Sequence, residues 1–225
     1  MENGNLTTMI NRRPLEAADL NRILLPKRYW ESNLNVIPDE MEYKKIVKWI
    51  LADMDDLVRK GRIIVLMGPP NSGKTSLASI VLKEAMRRGK LGMFIDASEY
   101  GSVEFRNQIY EDDQTIEGRS KEIPFLVLDN LGREERGECK IEELIKRRWE
   151  EKKVTIITTP LNEEGIVEKY GKPMMEMLER SAYIIEVKGI DYGEIIKKKL
   201  QEEVRNGIKK IEDKDFSSPA RSSLP

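Results

Sequence analysis

The sequence predicts a three-layer α/β fold with a central five-stranded parallel sheet, and three observations point to it. Five short apolar runs alternate with helical patterns, as in parallel sheets whose strands are joined by helices. A glycine-containing loop joins the first run to the helix that follows it. Several runs end in polar residues, and the carboxyl ends of parallel strands meet at one edge of a sheet. We therefore expect these polar ends to form one site.

The first apolar run, Ile63–Met67, leads into a loop that fits a phosphate-binding motif. The pattern G-x-x-x-x-G-K-[ST] is matched by Gly68, Gly73, Lys74 and Thr75. In such a loop the backbone N–H groups surround a phosphate, the lysine reaches the β- and γ-phosphates of ATP, and the threonine hydroxyl coordinates Mg²⁺. An ordinary turn is the alternative, but the strand before the loop and the helix after it favour phosphate binding. The predicted nucleotide-binding residues are Gly68, Pro69, Pro70, Asn71, Ser72, Gly73, Lys74, Thr75 and Ser76.

Residues 1–37 are predicted to form an N-terminal arm with a lid-like segment. Apolar residues that include Leu20 and Ile23 recur at loosely helical spacing, which predicts one short amphipathic helix. The sequence LPKRYW follows, and its aromatic residues have two open interpretations. Tyr29 and Trp30 either pack on the edge of the core or form a lid beside the adenine of a nucleotide.

A long helix is predicted to bring the chain into the first strand. Asp39 and Glu42 form a capping-box pattern at its start, and Gly61 is suited to end it. Between them, apolar residues recur every three or four positions from Ile46 to Val58. This spacing places one face of the helix against the sheet.

The second and third strands are predicted at 91–96 and 124–129. Between them, residues 98–122 are polar with a weak apolar pattern, which predicts one short surface helix. The third run ends at Asp129, whose carboxylate would hold Mg²⁺ opposite Thr75 at the carboxyl edge of the sheet. An aspartate that only opens a turn is the alternative, and the apolar run before Asp129 favours the magnesium ligand.

The rest of the chain continues the alternation of strands and helices. It predicts a helix through 141–149, a fourth strand at 154–159, helices near 162–170 and 173–181, a fifth strand at 182–187 and a last helix near 192–204. Residues 38–206 are thus predicted to form one nucleotide-binding domain. The serine- and proline-containing residues 207–225 are predicted to form a disordered tail.

Composition limits the classes of function. The formal net charge is −1, so the molecule as a whole is not a polycation that attracts nucleic acid, although local basic patches remain open. Cys139 is the single cysteine and histidine is absent, which excludes an intrachain disulfide and the usual zinc ligand sets. No run approaches the length of a membrane span, and the N-terminus lacks the order of a signal peptide. We expect a cytoplasmic protein without membrane contact.

With these motifs identified, residues 25–205 resemble the AAA+ ATPases of the bacterial helicase-loader type (DnaC and DnaI) and the related IstB transposition helpers. The resemblance rests on LPKRYW ahead of a long helix, followed in order by GPPNSGKTSLA, LVLDNLG, RRWEEKKVTIITT and MLERSAYIIEVKGIDY. It implies a P-loop NTPase fold of the AAA+ type with no separate C-terminal lid domain.

The resemblance also implies roles for individual residues. Asp129 would be the Walker B acid, and Thr158 or Thr159 the sensor-1 residue that contacts the γ-phosphate. Arg180 would be an arginine finger offered to the nucleotide of a neighbouring subunit, and such a residue is typically worth about 10³ to 10⁵ in hydrolysis rate. For Arg180 the alternative is an exposed arginine at a helix end.

Three departures from the family pattern change what is expected. Asn130 stands where the family carries a second acid, and an amide hydrogen-bonds water but cannot take its proton, so we expect slow hydrolysis. Pro160 stands where the family more often has asparagine, which leaves sensor 1 to the threonines. The N-terminal helicase-binding domain of true loaders is not expected, because some 25 residues precede the core.

The leading hypothesis is an ATPase that binds ATP or ADP with Mg²⁺ and oligomerises as a ring or filament. It would act in DNA replication or transposition, with DNA and a replicative helicase or transposase as partners. A second hypothesis is a nucleotide-gated module that binds a protein partner and scarcely hydrolyses ATP, which Asn130 favours. A third is a small-molecule P-loop kinase whose acceptor site lies within residues 98–122.

Overall fold

A computed structural model describes residues 14–36, 42–110, 113–188, 197–198 and 200–206, and its centre is a five-stranded sheet. The strands lie in the order β2-β3-β4-β1-β5, and every neighbouring pair is parallel. The strands are β1 (Ile63–Met67), β2 (Gly92–Asp96), β3 (Phe125–Asp129), β4 (Val154–Thr159) and β5 (Ala182–Glu186). The predicted parallel α/β fold is therefore confirmed.

Helices cover both faces of this sheet. In chain order they are α1 (Ala17–Arg22), α2 (Glu42–Ala52), α3 (Met54–Lys60), α4 (Lys74–Arg87), α5 (Ala97–Tyr100), α6 (Val103–Arg106), α7 (Ile116–Glu122), α8 (Glu138–Glu150), α9 (Glu163–Tyr170) and α10 (Lys172–Ser181). Two short 3₁₀ turns, Lys27–Tyr29 and Leu34–Val36, lie between α1 and α2.

Alternating side chains along each strand divide the core into two layers. In β1, Ile64 and Leu66 pack with the apolar faces of α2, α3 and α4, whereas Ile63, Val65 and Met67 pack with residues of α8, α9 and α10. All five β1 side chains are buried, as expected for a central strand of a parallel sheet. The result is a three-layer sandwich with the carboxyl ends of the strands at one edge.

The N-terminal segment closes the β2 edge of the sheet. The backbone N–H of Phe94 in β2 donates to the carbonyl of Ile23, at 2.8 Å. The segment is also tied to α4, because the buried Lys83 Nζ donates to the carbonyls of Tyr29 (2.9 Å), Trp30 (2.7 Å) and Ser32. The edge strand is thus covered, and residues 27–32 are held beside the end of β2.

The long helix predicted before β1 is two helices, α2 and α3, that meet at Asp53. At this junction the carbonyl of Leu51 accepts a side-chain hydrogen bond, from Arg88 Nη1 at 2.8 Å. The predicted end is confirmed: Gly61 has a φ of 60°, and a side chain there would meet the backbone of Lys152. The predicted cap residue Asp39 lies outside the described residues.

The prediction of one short helix within 98–122 was wrong, because three helices, α5, α6 and α7, occupy this part of the chain. Each begins with a side-chain cap. The side chain of Asp96 accepts from the N–H of Ser98, that of Ser102 from Phe105, and that of Thr115 from Gly118. The apolar periodicity is weak here because these helices have only four to seven residues. Their N-cap residues were therefore the sequence feature that could have indicated three separate helices.

The C-terminal prediction is tested only in part. Residues 197–198 and 200–206 are helical and exposed, which agrees with the last helix predicted near 192–204 and extends it by two residues. The start of that helix and the predicted disordered tail, 207–225, lie outside the described residues, so the domain boundaries stay a prediction. Among the residues that the structure describes, no helix is long and apolar enough to cross a membrane.

Candidate nucleotide site

The loop between β1 and α4 has the backbone geometry of an anion-binding turn. Gly68, Asn71 and Gly73 all have positive φ angles, of 151°, 62° and 91°. A side chain at Gly68 would place its Cβ 2.6 Å from the carbonyl oxygen of Val187, so glycine is required there. Alternation of left- and right-handed conformations turns successive N–H groups toward one point, at the N-terminus of the 14-residue helix α4.

The remaining loop residues fall into two groups. Pro69, Pro70 and Asn71 form the exposed turn of the loop, whereas Ser72 is buried beneath it. Ser76 lies half-buried in the first turn of α4. The loop therefore presents backbone to solvent while its underside is packed.

Lys74 lies under the loop and closes it in this state. Its Nζ donates to the carbonyls of Gly68 (2.8 Å) and Pro69 (2.7 Å) and to the hydroxyl of Ser72 (3.2 Å). Burial lowers the pKa of Lys74, while the nearby Asp129 charge opposes this effect and Arg133 reinforces it. The Lys74 ammonium group is thus bound by the carbonyls of its own loop and by Ser72.

Three elements meet at the carboxylate of Asp129, at the end of β3. Its Oδ1 accepts from the hydroxyl of Thr75 in α4 at 2.8 Å and from the hydroxyl of Thr158 in β4 at 2.5 Å. Thr158 Oγ1 in turn accepts from the backbone N–H of Asn130 at 3.0 Å. The structure therefore brings together the loop threonine, the predicted acid and one of the two predicted sensor threonines.

Asp129 is 1% exposed, and its burial has an electrostatic consequence. Burial raises the pKa of this carboxyl, the hydrogen bonds from Thr158 and Thr75 lower it, and the negative charge of Asp96 raises it again. A buried carboxylate of this kind gains from a cation beside it.

Asn130 and Asp96 form a part of the site that was not predicted as a unit. The Asn130 backbone is left-handed, with a φ of 60°. Its Nδ2 donates to Asp96 Oδ2 at 2.7 Å and to Asp129 Oδ2 at 3.1 Å. Asp96 ends β2 and lies in register with Asp129 across the β2–β3 pair.

The two predicted sensor threonines lie in different places. Thr158 reaches Asp129, whereas the Thr159 hydroxyl donates to the carbonyl of Leu131 at 2.7 Å and accepts from the N–H of Leu161 at 3.1 Å. Successive strand residues point to opposite faces, so only one of the pair reaches the acid. Thr159 fastens the loops at the end of β4, and Pro160 follows it at the surface.

Tyr29 brings the N-terminal segment to the same site. Its ring lies 6.3 Å from that of Phe94, and the Arg28 guanidinium lies 4.7 Å above it. Burial raises the pKa of the Tyr29 phenol, Arg28 and a hydrogen bond with Thr75 lower it, and the carboxylates of Asp129 and Asp96 raise it. The interpretation as an aromatic packed on the core edge fits this position, and the lid beside adenine stays a prediction.

Arg180 lies away from the site of its own chain. It is two residues before β5, whose first residue, Ala182, is in register with Ile63 at the start of β1. The phosphate loop follows the other end of β1, so Arg180 lies near the amino edge of the sheet. Its side chain is 79% exposed and pairs with Glu176 at 3.8 Å.

The oxygen atoms of Thr75 and Asp129 suit magnesium, which prefers hard oxygen ligands and keeps several waters or phosphate oxygens. Among the described residues, no group of three or more acidic, histidine or cysteine side chains is arranged to hold a metal. The Thr75 hydroxyl and the Asp129 carboxylate are thus the two neighbouring oxygen groups here that would hold a magnesium ion.

Comparisons with solved structures place this arrangement in a fold. The DnaC helicase loader matches with a TM-score of 0.62 and 22% identity, over 72% of this chain and 100% of that one. DnaI matches with a TM-score of 0.60 and 19% identity, over 73% and 95%. A DnaA bound to AMPPCP and single-stranded DNA matches with a TM-score of 0.57 and 19% identity, over 77% and 55%.

The likeness to these structures is one of fold, and it is consistent with an α/β P-loop fold. No protein-family model matches the chain. Among curated proteins, a RecA from Chloroflexus aggregans is 50% identical over 40 residues, and one from Mesoplasma florum is 38% identical over 57 residues. These matches cover 18% and 25% of the chain but only 11% and 17% of the RecA proteins, so they extend to a small part of this chain and of each relative.

Sequence reasoning missed the site roles of Asp96 and of Lys83, which holds the segment that carries Tyr29. Asp96 ends an apolar run just as Asp129 does, and that shared pattern was the available signal. For Lys83 no local signal existed, because its three carbonyl partners lie more than 50 residues away.

Proposed function

We propose that the protein binds ATP with Mg²⁺ in the loop 68–76 and hydrolyses it slowly in support of DNA replication or transposition. The observation that carries this proposal is the meeting of Thr75, Asp129 and Thr158 beside Lys74. A phosphate-binding loop, a hydroxyl and a carboxylate at one edge of an AAA+ sheet are the parts that nucleotide hydrolysis requires.

Each side chain would then have one task. Lys74 would leave the carbonyls of Gly68 and Pro69 for the β- and γ-phosphates, while Thr75 and Asp129 would hold the metal. Magnesium, when bound, neutralises phosphate charge. Thr158 would contact the γ-phosphate, and its hydrogen bond with the Asn130 N–H would couple that contact to the position of Asn130.

Calorimetric titration of the protein with ATP, with and without Mg²⁺, tests nucleotide binding. Lys74→Ala should weaken ATP binding about 10²-fold, because a buried charged partner of the phosphates is lost. Lys146→Ala, which removes an exposed lysine from α8, is the matched control and should bind as the unchanged protein does. If the unchanged protein does not bind ATP, or if Lys74→Ala binds equally well, the proposal fails.

A nucleotide-gated binding module is the second candidate, and Asn130 is the observation that favours it. The amide of Asn130 has its nitrogen committed to two carboxylates, and it is not an acid. Phosphate release at high protein concentration, with and without DNA, separates the candidates. Turnover that disappears in Lys74→Ala supports the ATPase, and tight binding without turnover under every condition supports the module.

We also propose that nucleotide binding promotes assembly into a ring or filament. Arg180 lies at the edge of the sheet opposite its own loop and is highly exposed, which supports a contact with the nucleotide of a second copy. DNA contact is proposed from the likeness in fold to a DnaA solved with single-stranded DNA. If DNA binds, its affinity should fall with salt with a slope of several ions.

A further inference from the structure

The residue after Asp129 is not an acid, so the site needs another group to accept a proton from the attacking water. Glu134 is nearby in sequence, but it is only 2% exposed, and its partners are residues other than Asp129 and Asn130. Its carboxylate accepts from the Gly132 N–H at 2.9 Å and from the Tyr170 hydroxyl, and it pairs with Lys169 at 3.2 Å. Glu134 therefore holds the loop after β3 and does not serve the site.

Asn130 points to a different acid. Its amide nitrogen lies between Asp96 Oδ2 and Asp129 Oδ2, at 2.7 and 3.1 Å. The opposite amide orientation would set an oxygen against two carboxylates, so the chemistry of the neighbours fixes which atom is nitrogen. Asn130 is thus a bridge that joins the carboxylate of β2 to that of β3.

The backbone of Asn130 supports the same interpretation. Its left-handed conformation, with a φ of 60°, is one that asparagine tolerates better than most residues with a side chain. A residue held in this conformation at a site is a sign of a functional constraint. Here the conformation lets the backbone N–H reach Thr158 while the amide reaches Asp96.

Asp96 lies at the same edge of the sheet as Asp129. It ends β2 in register with Asp129, and it is half-buried, so it keeps access to solvent. The charge of Asp96 raises the pKa of Asp129, although burial and the hydrogen bonds from Thr158 and Thr75 have larger effects. The same charge also raises the pKa of the Tyr29 phenol. The two hydrogen bonds of Asn130 place the Asp96 carboxylate beside that of Asp129, which accepts from Thr75.

We propose that Asp96 is the catalytic carboxylate that replaces the missing second acid. This inference rests on the proposed ATPase function and names the residue that completes it. The water oxygen bonds to the γ-phosphorus as the bond to the bridging oxygen breaks, and that electron pair leaves with ADP. The proton of the water passes to the Asp96 carboxylate and then to solvent, so atoms and charge balance.

Asp96 also has a structural task, and the test must separate the two. Its Oδ1 accepts from the N–H of Ser98 at 2.9 Å and from the Ser98 hydroxyl at 2.5 Å, which caps α5. Asparagine caps a helix as well as aspartate does, but its single carbonyl oxygen cannot accept from both Ser98 and Asn130. Asp96→Asn therefore keeps the cap while it removes the proton acceptor and the hydrogen bond from Asn130. Asn130→Ala removes that same hydrogen bond but leaves the Asp96 carboxylate, so a smaller loss of turnover in Asn130→Ala than in Asp96→Asn separates the two effects.

The experiment measures phosphate release, ATP affinity by calorimetry, melting temperature and the identity of the retained nucleotide. Asp96→Asn should reduce turnover at least about 10²-fold, the contribution typical of a positioned general base. Its ATP affinity should stay within about threefold of the unchanged protein. Chromatography of the retained nucleotide should find ATP in the variant where the unchanged protein holds ADP.

Ser98→Ala is the matched control, because it removes a cap hydrogen bond and leaves the carboxylate in place. It should keep turnover within about threefold. Equal turnover in Asp96→Asn and the unchanged protein overturns the inference, and so does an equal loss in Ser98→Ala. Tight ATP binding with no turnover in the unchanged protein overturns the Asp96 role alone, whereas absence of ATP binding overturns the proposed function as well.

Discussion

Asp129 is the residue on which three elements converge, and its burial has a cost that ligand binding would offset. Two threonine hydroxyls and the Asn130 amide surround the carboxylate, yet burial still raises its pKa. Sites that bind cations often hold an acid in this destabilised state. The expected signature is a gain in stability when the charge is removed.

Asp129→Asn should raise the melting temperature of the ligand-free protein at pH 7, by about 2–4 °C for each 1 kcal/mol gained in a chain of this size. In the unchanged protein the folded state holds this proton more tightly than the unfolded chain does. Stability therefore decreases as pH rises from the ordinary carboxyl range through the raised pKa, and the variant should lack this decrease. Thermal unfolding across pH measures both effects.

The same variant should lose the gain in ATP affinity that Mg²⁺ provides, which calorimetry measures. Asp55→Asn is the control, because the Asp55 side chain is 85% exposed and should change stability by less than about 0.5 kcal/mol. An Asp129→Asn protein that melts lower at pH 7 and binds magnesium nucleotide normally would contradict the assignment.

At the scale of elements, single buried cations join segments that are distant in sequence. Arg148 in α8 is fully buried, and burial lowers its pKa to about 9, which leaves it charged at neutral pH. Its guanidinium donates to the carbonyls of Ser120 (2.7 Å), Ile123 (2.8 Å) and Val154 (2.7 Å), and to the Thr155 hydroxyl (2.9 Å). One side chain thus fixes the end of α7 and the start of β4.

Arg148→Ala should lower the free energy of unfolding by more than about 3 kcal/mol, because several buried carbonyls lose a charged donor at once. Arg147→Ala is a closely matched control at the adjacent position. Arg147 is exposed and pairs with Glu122 at 3.4 Å and Glu151 at 3.0 Å, so its loss should cost less than about 1 kcal/mol. Urea unfolding compares the two variants, and equal effects would refute the role of Arg148.

Lys83 plays a similar part between α4 and the segment that carries Tyr29. Burial lowers the pKa of Lys83 to about 8, Arg87 adds to this effect, and Glu31 opposes it. The three carbonyls at the end of the 3₁₀ turn accept from this single ammonium group. The attachment of the segment therefore depends on one residue of the nucleotide-loop helix.

Lys83→Met should lower stability at pH 7 by about 1–3 kcal/mol, because the carbonyls lose their donor. A lysine in the unfolded chain has a pKa of about 10.4. Between the lowered pKa of the folded protein and this value, the unfolded chain therefore holds more protons than the folded protein does. The stability of the unchanged protein relative to Lys83→Met should therefore rise as pH increases from about 8 to about 10.4. Urea unfolding across this pH range measures the difference, and Lys146→Met, which changes an exposed lysine, is the control. If the difference in unfolding free energy between the unchanged protein and Lys83→Met did not change with pH, Lys83 would be a solvated lysine.

At the scale of the whole molecule, Arg180 and the phosphate loop lie at opposite edges of the sheet. In this fold Arg180 therefore cannot reach the loop of its own chain, and as an arginine finger it would have to serve a second copy. If Arg180 acts in trans as proposed, a monomer should be nearly inactive, because such an arginine contributes about 10³ to 10⁵ to hydrolysis.

Light scattering with a slowly hydrolysed ATP analogue should detect assembly only when nucleotide is present. Arg180→Ala should abolish that assembly or reduce turnover by at least about 10³-fold, because the trans contact is lost. Lys172→Ala is the matched control on the same helix, since Lys172 is 78% exposed and pairs with the same Glu176, at 3.5 Å. If assembly and turnover were unchanged in Arg180→Ala, the proposed arginine finger would be wrong and Arg180 would be an ordinary surface residue.

Local patterns in the sequence were sufficient for the strands, most helices and the phosphate loop. Ile63–Met67, the loop that ends in Lys74 and Thr75, and the acid at the end of β3 each lie within a short contiguous stretch. Apolar periodicity and glycine placement act over that same range, so the sequence by itself determined them.

Only the tertiary structure decided which strand ends are neighbours. It inserts β4 between β1 and β3, which sets Thr158 rather than Thr159 against Asp129, and it sets Asp96 beside Asn130. Parallel strands pair through the same backbone groups whatever their order, so no local pattern encodes which strands become neighbours. The order follows from packing helices on both faces at once, and that is a property of the whole chain.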